Sequence, residues 1–513
     1  MYNQNGVLLF LGSIFLSEGR EKMQGIIYTI ESIPWTYITL SLYAINIIIA
    51  LTIIFLERKN PAATLAWIMI LFLLPGIGIL FYFFLSQNIA RKKIFRLTKD
   101  EERLLTSSLE KQTRAIETGT YEFTTYEADL WKDLIRLNQI YGRAYYTQDN
   151  NVEVITDGKE KMNQLLWDIE NAKESINIMY FILKRDKVGR EFVDTLTRKA
   201  AEGVKVRLLL DAMGSRNISY IFLHEFINSG GEYALFFPPK LKFINMKLNY
   251  RNHRKLAVID DTIGYIGGFN IAKEYLGLKR KFGYWRDTHL RITGGSVQDI
   301  NARFLLDWRL ASKEKKVDVS KVFFEPPMIA GETGMQIVSG GPDTEHDEIK
   351  RAFMKMITSA SRTINIQTPY FVPDAPVLES IKMAALSGVD VKIMIPCKPD
   401  HVFVYWATYS YVGELLRDGA RVFIYENGFL HAKTMTVDGE VATVGSTNFD
   451  SRSFKLNFES NAFIYDAETT RKLEKIFQDD LANCRELTYE DYLKRSLWIK
   501  FKESISRLPS DLL

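Results

Sequence analysis

Hydrophobic positions are unevenly spread along this chain. Tyr37 to Leu56 is an uncharged run of 20 residues whose most polar member is Asn46, and Ala62 to Leu85 is a second run of 24 without a charge. Glu57-Arg58-Lys59-Asn60-Pro61 separates them. A bilayer core of ~30 Å needs about 20 apolar residues in helical form, so the pattern predicts a two-helix transmembrane hairpin over 37–56 and 62–85. Pro75-Gly76 should kink the second helix, which helices in lipid tolerate. Within the N-terminal segment 1–36, Val7 to Leu16 is apolar but too short to span. It lacks the basic start of a signal peptide and reads as an interfacial or disordered stretch.

Residues 86–127 change character. Lys99 to Glu127 is charged and polar and predicts a helical linker leading away from the bilayer. Beyond it, short apolar runs alternate with helical periodicity, and they do so twice. Ser175-Ile-Asn-Ile-Met-Tyr180 resembles Thr363-Ile-Asn-Ile-Gln-Thr368, and Gly203-Val-Lys-Val-Arg-Leu-Leu-Leu210 resembles Gly388-Val-Asp-Val-Lys-Ile-Met-Ile395. Each is a largely apolar strand, the second pair entered from a glycine that stops a helix. Strand, helix, strand at this spacing predicts parallel βαβ units. The fold expected is α/β: two tandem halves, 128–320 and 321–513, related by a pseudo-twofold axis.

The duplication extends to reactive residues. His253-Arg-Lys255-Leu-Ala-Val-Ile-Asp260 and His431-Ala-Lys433-Thr-Met-Thr-Val-Asp438 are both His-x-Lys-x4-Asp. Gly267-Gly268-Phe269-Asn270 and Gly445-Ser446-Thr447-Asn448 follow at the same offset, within stretches 248–275 and 426–453. Asp438-Gly439 is a two-residue hairpin signal. Such a turn would set Ser446 opposite His431 and bring Lys433 and Asn448 to the same face, with His253, Lys255, Gly268 and Asn270 repeating the arrangement.

These residue types fit phosphoryl transfer through a covalent phosphohistidine. One histidine can attack phosphorus while the other protonates the leaving oxygen. Lys255, Lys433, Asn270, Ser446 and Asn448 are expected to bind the phosphate oxygens, where negative charge sits. An imidazole of fixed tautomer needs an acceptor on its other nitrogen. Asp287 and Glu459, 34 and 28 residues beyond their histidines, are the candidates. Asp260 and Asp438 fall at the hairpin turns and are expected to brace the motif rather than touch substrate. His289 is expected to pack on a strand face, and His401, in a loop after a strand, is weighed for the substrate channel.

Charge and composition narrow the partners. A net charge of +4 over 513 residues gives no field suited to nucleic acid. Cys397 and Cys484 form no disulfide framework, and the six histidines form no zinc pattern, so neither metal nor cofactor is expected. Lys240, Lys242, Lys247, Arg251 and Arg254, interleaved with Phe243 and Tyr250, read either as a solvated loop or as a surface for anionic phospholipid. Arg20, Lys22, Arg91, Lys92, Lys93 and Arg96 flank the apolar pair, against Arg58 and Lys59 in its turn. By the positive-inside rule this puts both ends and the body in the cytoplasm of a multi-pass cell-membrane protein. The tail from Leu497 to Leu513 is amphipathic and could dock on the body or touch the bilayer.

The paired H-x-K-x4-D with its downstream G-[GS]-x-N resembles the phospholipase D superfamily. Within it, Arg58-Lys-Asn-Pro-Ala-Ala-Thr-Leu-Ala-Trp67, Gly267-Gly-Phe-Asn-Ile-Ala-Lys-Glu-Tyr275, Trp285-Arg-Asp-Thr288 and Gly445-Ser-Thr-Asn-Phe-Asp-Ser-Arg-Ser453 are similar to the bacterial cardiolipin synthases. The resemblance covers the chain from Tyr37 onward and counts Asp260 and Asp438 within the catalytic motifs. It implies reversible phosphatidyl transfer between two phosphatidylglycerol molecules through a phosphatidyl-histidine, giving cardiolipin and glycerol, with His253 as nucleophile and His431 as acid. Phosphatidylethanolamine stays open as the acceptor, and the oligomeric state is not set. A hydrolytic phospholipase D would carry the same residues and admit water. A nuclease of the superfamily is opposed by the apolar hairpin and the modest charge.

Overall fold

The computed structural model describes residues 35–56, 61–74, 77–79, 82, 94–95, 97–238, 249–312, 330–344 and 346–508. It divides into two units, Met1–Asn88 and Ile89–Leu513. In the first, helices Trp35–Leu56 and Pro61–Leu73 contain no charged residue. Buried Asn46 donates its side-chain amide to the Leu71 carbonyl at 2.6 Å, which gives the polar residue of the first run a partner in the second. The second run is not one helix to Leu85: the helix ends at Leu73, two residues before Pro75, and residues 77–79 are helical again. Thirteen residues rise only about 20 Å, short of a bilayer core. In the longer helix the side chains from residue 53 onward lie outside the described set. Among the described residues no helix is long and apolar enough to cross a membrane. Residues 7–16, the turn 57–60 and the basic residues Arg20, Lys22, Arg91, Lys92, Lys93 and Arg96 also lie outside the described residues.

The second unit begins with helix Lys99–Glu117, started by a capping box in which Thr98 and Glu101 exchange side-chain and backbone hydrogen bonds. This helix does not lead away from the body. It buries Leu109 and Ile116, and Gln112 bonds both backbone groups of Tyr146.

Two repeats of the same strand order then build one continuous sheet. The first half supplies β1 (Thr147–Ile155), β2 (Ser175–Tyr180), β3 (Lys205–Asp211), β4 (Glu232–Phe236), β5 (Arg251–Asn252), β6 (Leu256–Ile259), β7 (Ile263–Gly267), β8 (Trp285–Arg286) and β9 (His289–Thr293). The second supplies β10 (Thr333–Gly340), β11 (Thr363–Gln367), β12 (Phe371–Val372), β13 (Asp390–Pro396), β14 (Arg421–Tyr425), β15 (Phe429–Leu430), β16 (Thr434–Val437), β17 (Val441–Gly445), β18 (Phe449–Asp450), β19 (Asn457–Tyr465) and β20 (Cys484–Leu487). The order β1-β9-β7-β6-β2-β3-β4 is mirrored by β10-β19-β17-β16-β11-β13-β14, and antiparallel β1–β10 pairing joins them. In each half the parallel strands follow helices that stop at a glycine in the left-handed region, Gly203 at φ 91° and Gly388 at φ 93°. The join between the predicted halves falls at 313–329, outside the described residues.

The motif hairpins differ from the two-residue expectation. Val437 pairs with Val441 and Ile259 with Ile263, so each loop holds three residues, and Asp438, Gly439, Asp260 and Asp261 are left-handed. The register moves by one, and Ser446 and Gly268 do not stand opposite the histidines. The loops serve a different purpose. Asp260 accepts from the N–H groups of Lys173, Glu174 and Ser175, and Asp438 from those of Ser361, Arg362 and Thr363. Each aspartate thereby satisfies the orphan donors where its half's first parallel strand begins.

One apolar cluster belongs to both halves. It joins Leu256, Ile266 and Leu290 to Ile337, Val444 and Phe458, all buried, so the middle of the sheet is a shared core rather than a boundary.

Candidate active site

Two short parallel pairings set the site. β5 lies along the start of β19, and β15 lies along β8. The histidine after each short strand is then fixed by the opposite half: His253 N–H donates to the Phe458 carbonyl at 2.9 Å and His431 N–H to the Arg286 carbonyl at 2.7 Å. The side chains follow. His253 Nδ1 is 3.0 Å from both carboxylate oxygens of Glu459, and His431 Nδ1 is 2.6 Å from Asp287 Oδ2. The expected pairing of each acid with its own half's histidine is therefore reversed. Strand direction is the reason: β8 and β19 run out of their own hairpins across the seam to the other half's motif.

Each acid is steadied by its own half. A Cβ on Gly268 would meet Asp287 Oδ1 at 2.0 Å, so only glycine lets that carboxylate approach. At the equivalent place Ser446 donates its hydroxyl to Glu459 and receives the Ser460 N–H at 3.0 Å. Ser446, expected on the phosphate, thus holds the orienting acid. The asparagines are also engaged. Asn270 accepts from the Ile182 N–H at 3.0 Å and donates to the Tyr275 hydroxyl at 3.1 Å, while Asn448 donates to the Ser453 hydroxyl at 3.2 Å. Each amide nitrogen keeps a second hydrogen for a ligand.

Charge couples the two motifs. Lys433 bears on His253 and Lys255 on His431, which brings both histidines and both lysines into one field. Burial lowers His253 below the ordinary imidazole value despite Glu459, and lowers His431 to about 4, with Lys433 adding to the effect and Asp287 opposing it. Both imidazoles are neutral at pH 7. With Nδ1–H donated to a carboxylate, Nε2 carries the lone pair. Burial raises both carboxyls, but His253 and Lys255 for Glu459, and Lys433 and His431 for Asp287, outweigh it and keep them ionised. The lysines are held low by burial, Lys255 at about 7 and Lys433 at about 8, although Glu459 and Asp287 respectively oppose the shift. Their ammonium groups donate to the His253 and His431 carbonyls.

These values fix a pH dependence. In the free enzyme kcat/KM should fall on acidification only below the ordinary imidazole range, as the nucleophile gains a proton. It should also fall between about pH 7 and 8 as Lys255 and Lys433 lose charge, far below an ordinary lysine at 10.5. A profile of kcat/KM that stayed flat to pH 10 would contradict this.

Aromatic residues that sequence reasoning did not assign wall the imidazoles. Phe181 meets His253 at 4.9 Å between ring centres, Trp285 meets His431 at 5.0 Å, and Tyr275 meets it at 6.3 Å. Trp285 and Tyr275 stand in the quoted motif strings, yet nothing in their spacing says which face they line. Arg251 and Arg254 are corrected: they are buried, not a lipid-facing surface. Arg254 reaches Asp307 Oδ2 at 2.7 Å and donates to the carbonyls of Glu459 and Gly340, while Arg251 stands 3.8 Å from Asp211. Lys240, Lys242, Phe243 and Lys247 lie outside the described residues. His289 is buried on β9 against Tyr265 and Phe269. His401 is exposed and caps helix Val402–Arg417, 6.3 Å from the Tyr370 ring. The neighbouring Asp400 accepts from the Tyr370 hydroxyl, and its charge reaches Lys433.

Comparison with known proteins agrees with this geometry. A family described as "Cardiolipin synthase, PLD-like domain" matches residues 165–304 and 353–481, one segment in each half, and a phospholipase D-nuclease N-terminal family matches 44–87. The major cardiolipin synthase of Bacillus subtilis is 49% identical over 477 residues, 93% of this chain and 99% of that protein. The chain belongs to the PLD-like cardiolipin synthase family. A cardiolipin synthase of Oceanobacillus iheyensis is 47% identical over 92% of this chain and 98% of its own length. The crystal structure of a phosphatidylserine synthase from Haemophilus influenzae shares the fold, with a TM-score of 0.60 at 16% identity over 74% of this chain and all of that one. The tandem α/β architecture is therefore that of phosphatidyl-transferring enzymes of the phospholipase D superfamily.

Proposed function

We propose that this enzyme joins two phosphatidylglycerol molecules into cardiolipin and glycerol. The observation that carries the reading is the crossed pair of imidazole–carboxylate contacts, which supplies two neutral, oriented histidines in one field of lysine charge. His253 Nε2 attacks phosphorus of the first lipid, and the P–O bond to glycerol breaks as His431 delivers a proton to the leaving oxygen. For that step His431 is protonated; its low free value makes it a strong acid once the anionic phosphate has entered. Lys255, Lys433 and the second hydrogens of the Asn270 and Asn448 amides stabilise the non-bridging oxygens. In the second step His431 takes the proton from the primary hydroxyl of another phosphatidylglycerol. That oxygen attacks phosphorus, the P–N bond breaks, and cardiolipin leaves. Asp260 and Asp438 act through the hairpins alone.

Phosphatidylglycerol alone is expected to give cardiolipin and glycerol in equal amounts, with phosphatidic acid a minor product, and excess glycerol to drive the reaction backward. Lipid chromatography of the products checks this. Phosphatidic acid as the main product from a phosphatidylglycerol-rich bilayer would replace the synthase with a hydrolase.

The apolar residues 37–85 suit a membrane anchor, and the flanking basic residues suit a body on the cytoplasmic side. A thiol placed at Asn60 should then react with an impermeant reagent in intact cells while one at Glu191 should not. The opposite pattern would reverse the orientation.

A further inference from the structure

The C-terminal helix Leu497–Arg507 is packed inside out. Glu503 and Ser506 are buried against the body, whereas Leu497, Trp498, Phe501, Ile505 and Leu508 are exposed, at 83%, 62%, 54%, 43% and 81%. Positions 497, 501, 505 and 508 form a single stripe at helical spacing. Polar contacts hold the inner face: Arg495 pairs with Glu503 at 2.9 Å, Arg507 pairs with Glu414 at 2.5 Å, and Lys502 lies over the Trp406 ring at 5.0 Å. A surface helix ordinarily turns its apolar stripe inward. Here ion pairs fix the opposite orientation, so the outward stripe has no partner within the chain's described residues.

Its neighbour continues the patch. Lys502 meets Trp406, and Arg507 meets Tyr411 and Glu414, so the two helices run in the same direction. That direction sets Leu497 and Trp498 level with Val402 and Phe403, each 59% exposed, at the start of helix Val402–Arg417. Asp400 and His401 immediately precede them, and Asp400 is the residue whose charge reaches Lys433 in the site. The apolar patch is thus continuous with the approach to the histidines.

We propose that this inverted helix is a bilayer-docking element, whose apolar stripe enters the headgroup region of an anionic membrane and holds the approach to the site at the lipid surface. Two observations select lipid over another occupant. Five basic residues and one acidic lie between Lys494 and Leu508, and the only acid among them is buried in an ion pair. Trp498, Phe501 and Lys500 together give the aromatic and cationic mixture that suits the interface of an anionic bilayer. The inference rests on the reading of a membrane-held phosphatidylglycerol as substrate and deepens it by naming the surface that meets that membrane.

The test uses the full chain in vesicles of phosphatidylglycerol and phosphatidylcholine. With Cys397→Ser and Cys484→Ser as background, Phe501→Cys and, as a control, Glu191→Cys are labelled with an environment-sensitive fluorophore. The label at 501 should shift to the blue and be quenched by nitroxide-bearing lipids, and the label at 191 should do neither. A water-like, unquenched signal at 501 would overturn the proposal. A blue shift without lipid quenching would also overturn it, in favour of a second copy covering the stripe. Separately, Leu497→Ser, Trp498→Ser and Phe501→Ser combined should lower turnover on vesicles about tenfold while leaving turnover on detergent-dispersed lipid within about twofold. Equal loss in both formats would count against docking. If the unaltered enzyme formed phosphatidic acid instead of cardiolipin, the functional reading would fail, while the quenching result would still decide where the helix lies.

Discussion

His253→Ala and His431→Ala should each reduce cardiolipin formation by about 10⁴-fold or more, because residues that act as one unit do not substitute for one another. The sharper expectation concerns Glu459. It lies 206 residues from His253 yet holds that imidazole's Nδ1. Glu459→Gln keeps the shape and loses the charge. Its amide can present N–H to Nδ1, favouring the tautomer whose lone pair points away from phosphorus. A fall of about 10³–10⁴-fold in glycerol release, the first chemical step, is expected. Asp287→Asn should behave alike through His431. Near-native glycerol release from Glu459→Gln would show that the crossed contact does not orient the nucleophile.

Arg254→Ala should be the most damaging substitution for stability outside the histidines. The guanidinium is buried, bonded to Asp307 and to the carbonyls of Glu459 and Gly340, so it ties the first motif to two strands of the second half. Removing one partner of a buried ion pair leaves uncompensated charge and bare acceptors, at a cost of about 3–5 kcal/mol. Arg303 and Asn252 remain on Asp307 and put the loss at the lower end of that range. Thermal melting of the full chain in detergent reads the effect. Arg254→Lys keeps the charge without the planar fork and should fall between. A melting temperature unchanged by Arg254→Ala would mean the seam does not depend on this residue.

What the sequence made legible follows from which forces are local. The repeated strands, the glycine helix stops and the paired motifs are written in short-range patterns, and they foretell the tandem α/β fold and the residues that gather. Pairing across the seam is not local. Nothing within 34 residues of His253 tells that Asp287 belongs to His431, because that choice is made by strands crossing between halves. The hairpin register was missed for a subtler reason. Asp438-Gly439 signals a tight turn, but the aspartate is recruited by three N–H groups of the neighbouring strand start, and the loop takes a third residue to reach them. Arg254, read as part of a basic surface, is internal because its partner Asp307 comes from a helix 53 residues on. The C-terminal helix was readable as amphipathic, but which face turns inward depends on Glu414 and Trp406, far away in the chain.

The crossed acids also govern timing. Ribosomes add about 5–20 residues per second, so His253 is made some 10–40 seconds before Glu459, 206 residues later. Over that interval the nascent chain holds its first histidine, its first lysine and the apolar segment, but not the carboxylate that sets the imidazole's tautomer. Nor does it hold the second histidine. A protein synthesised beside a membrane made of its own substrate therefore stays chemically silent until nearly its whole length has emerged.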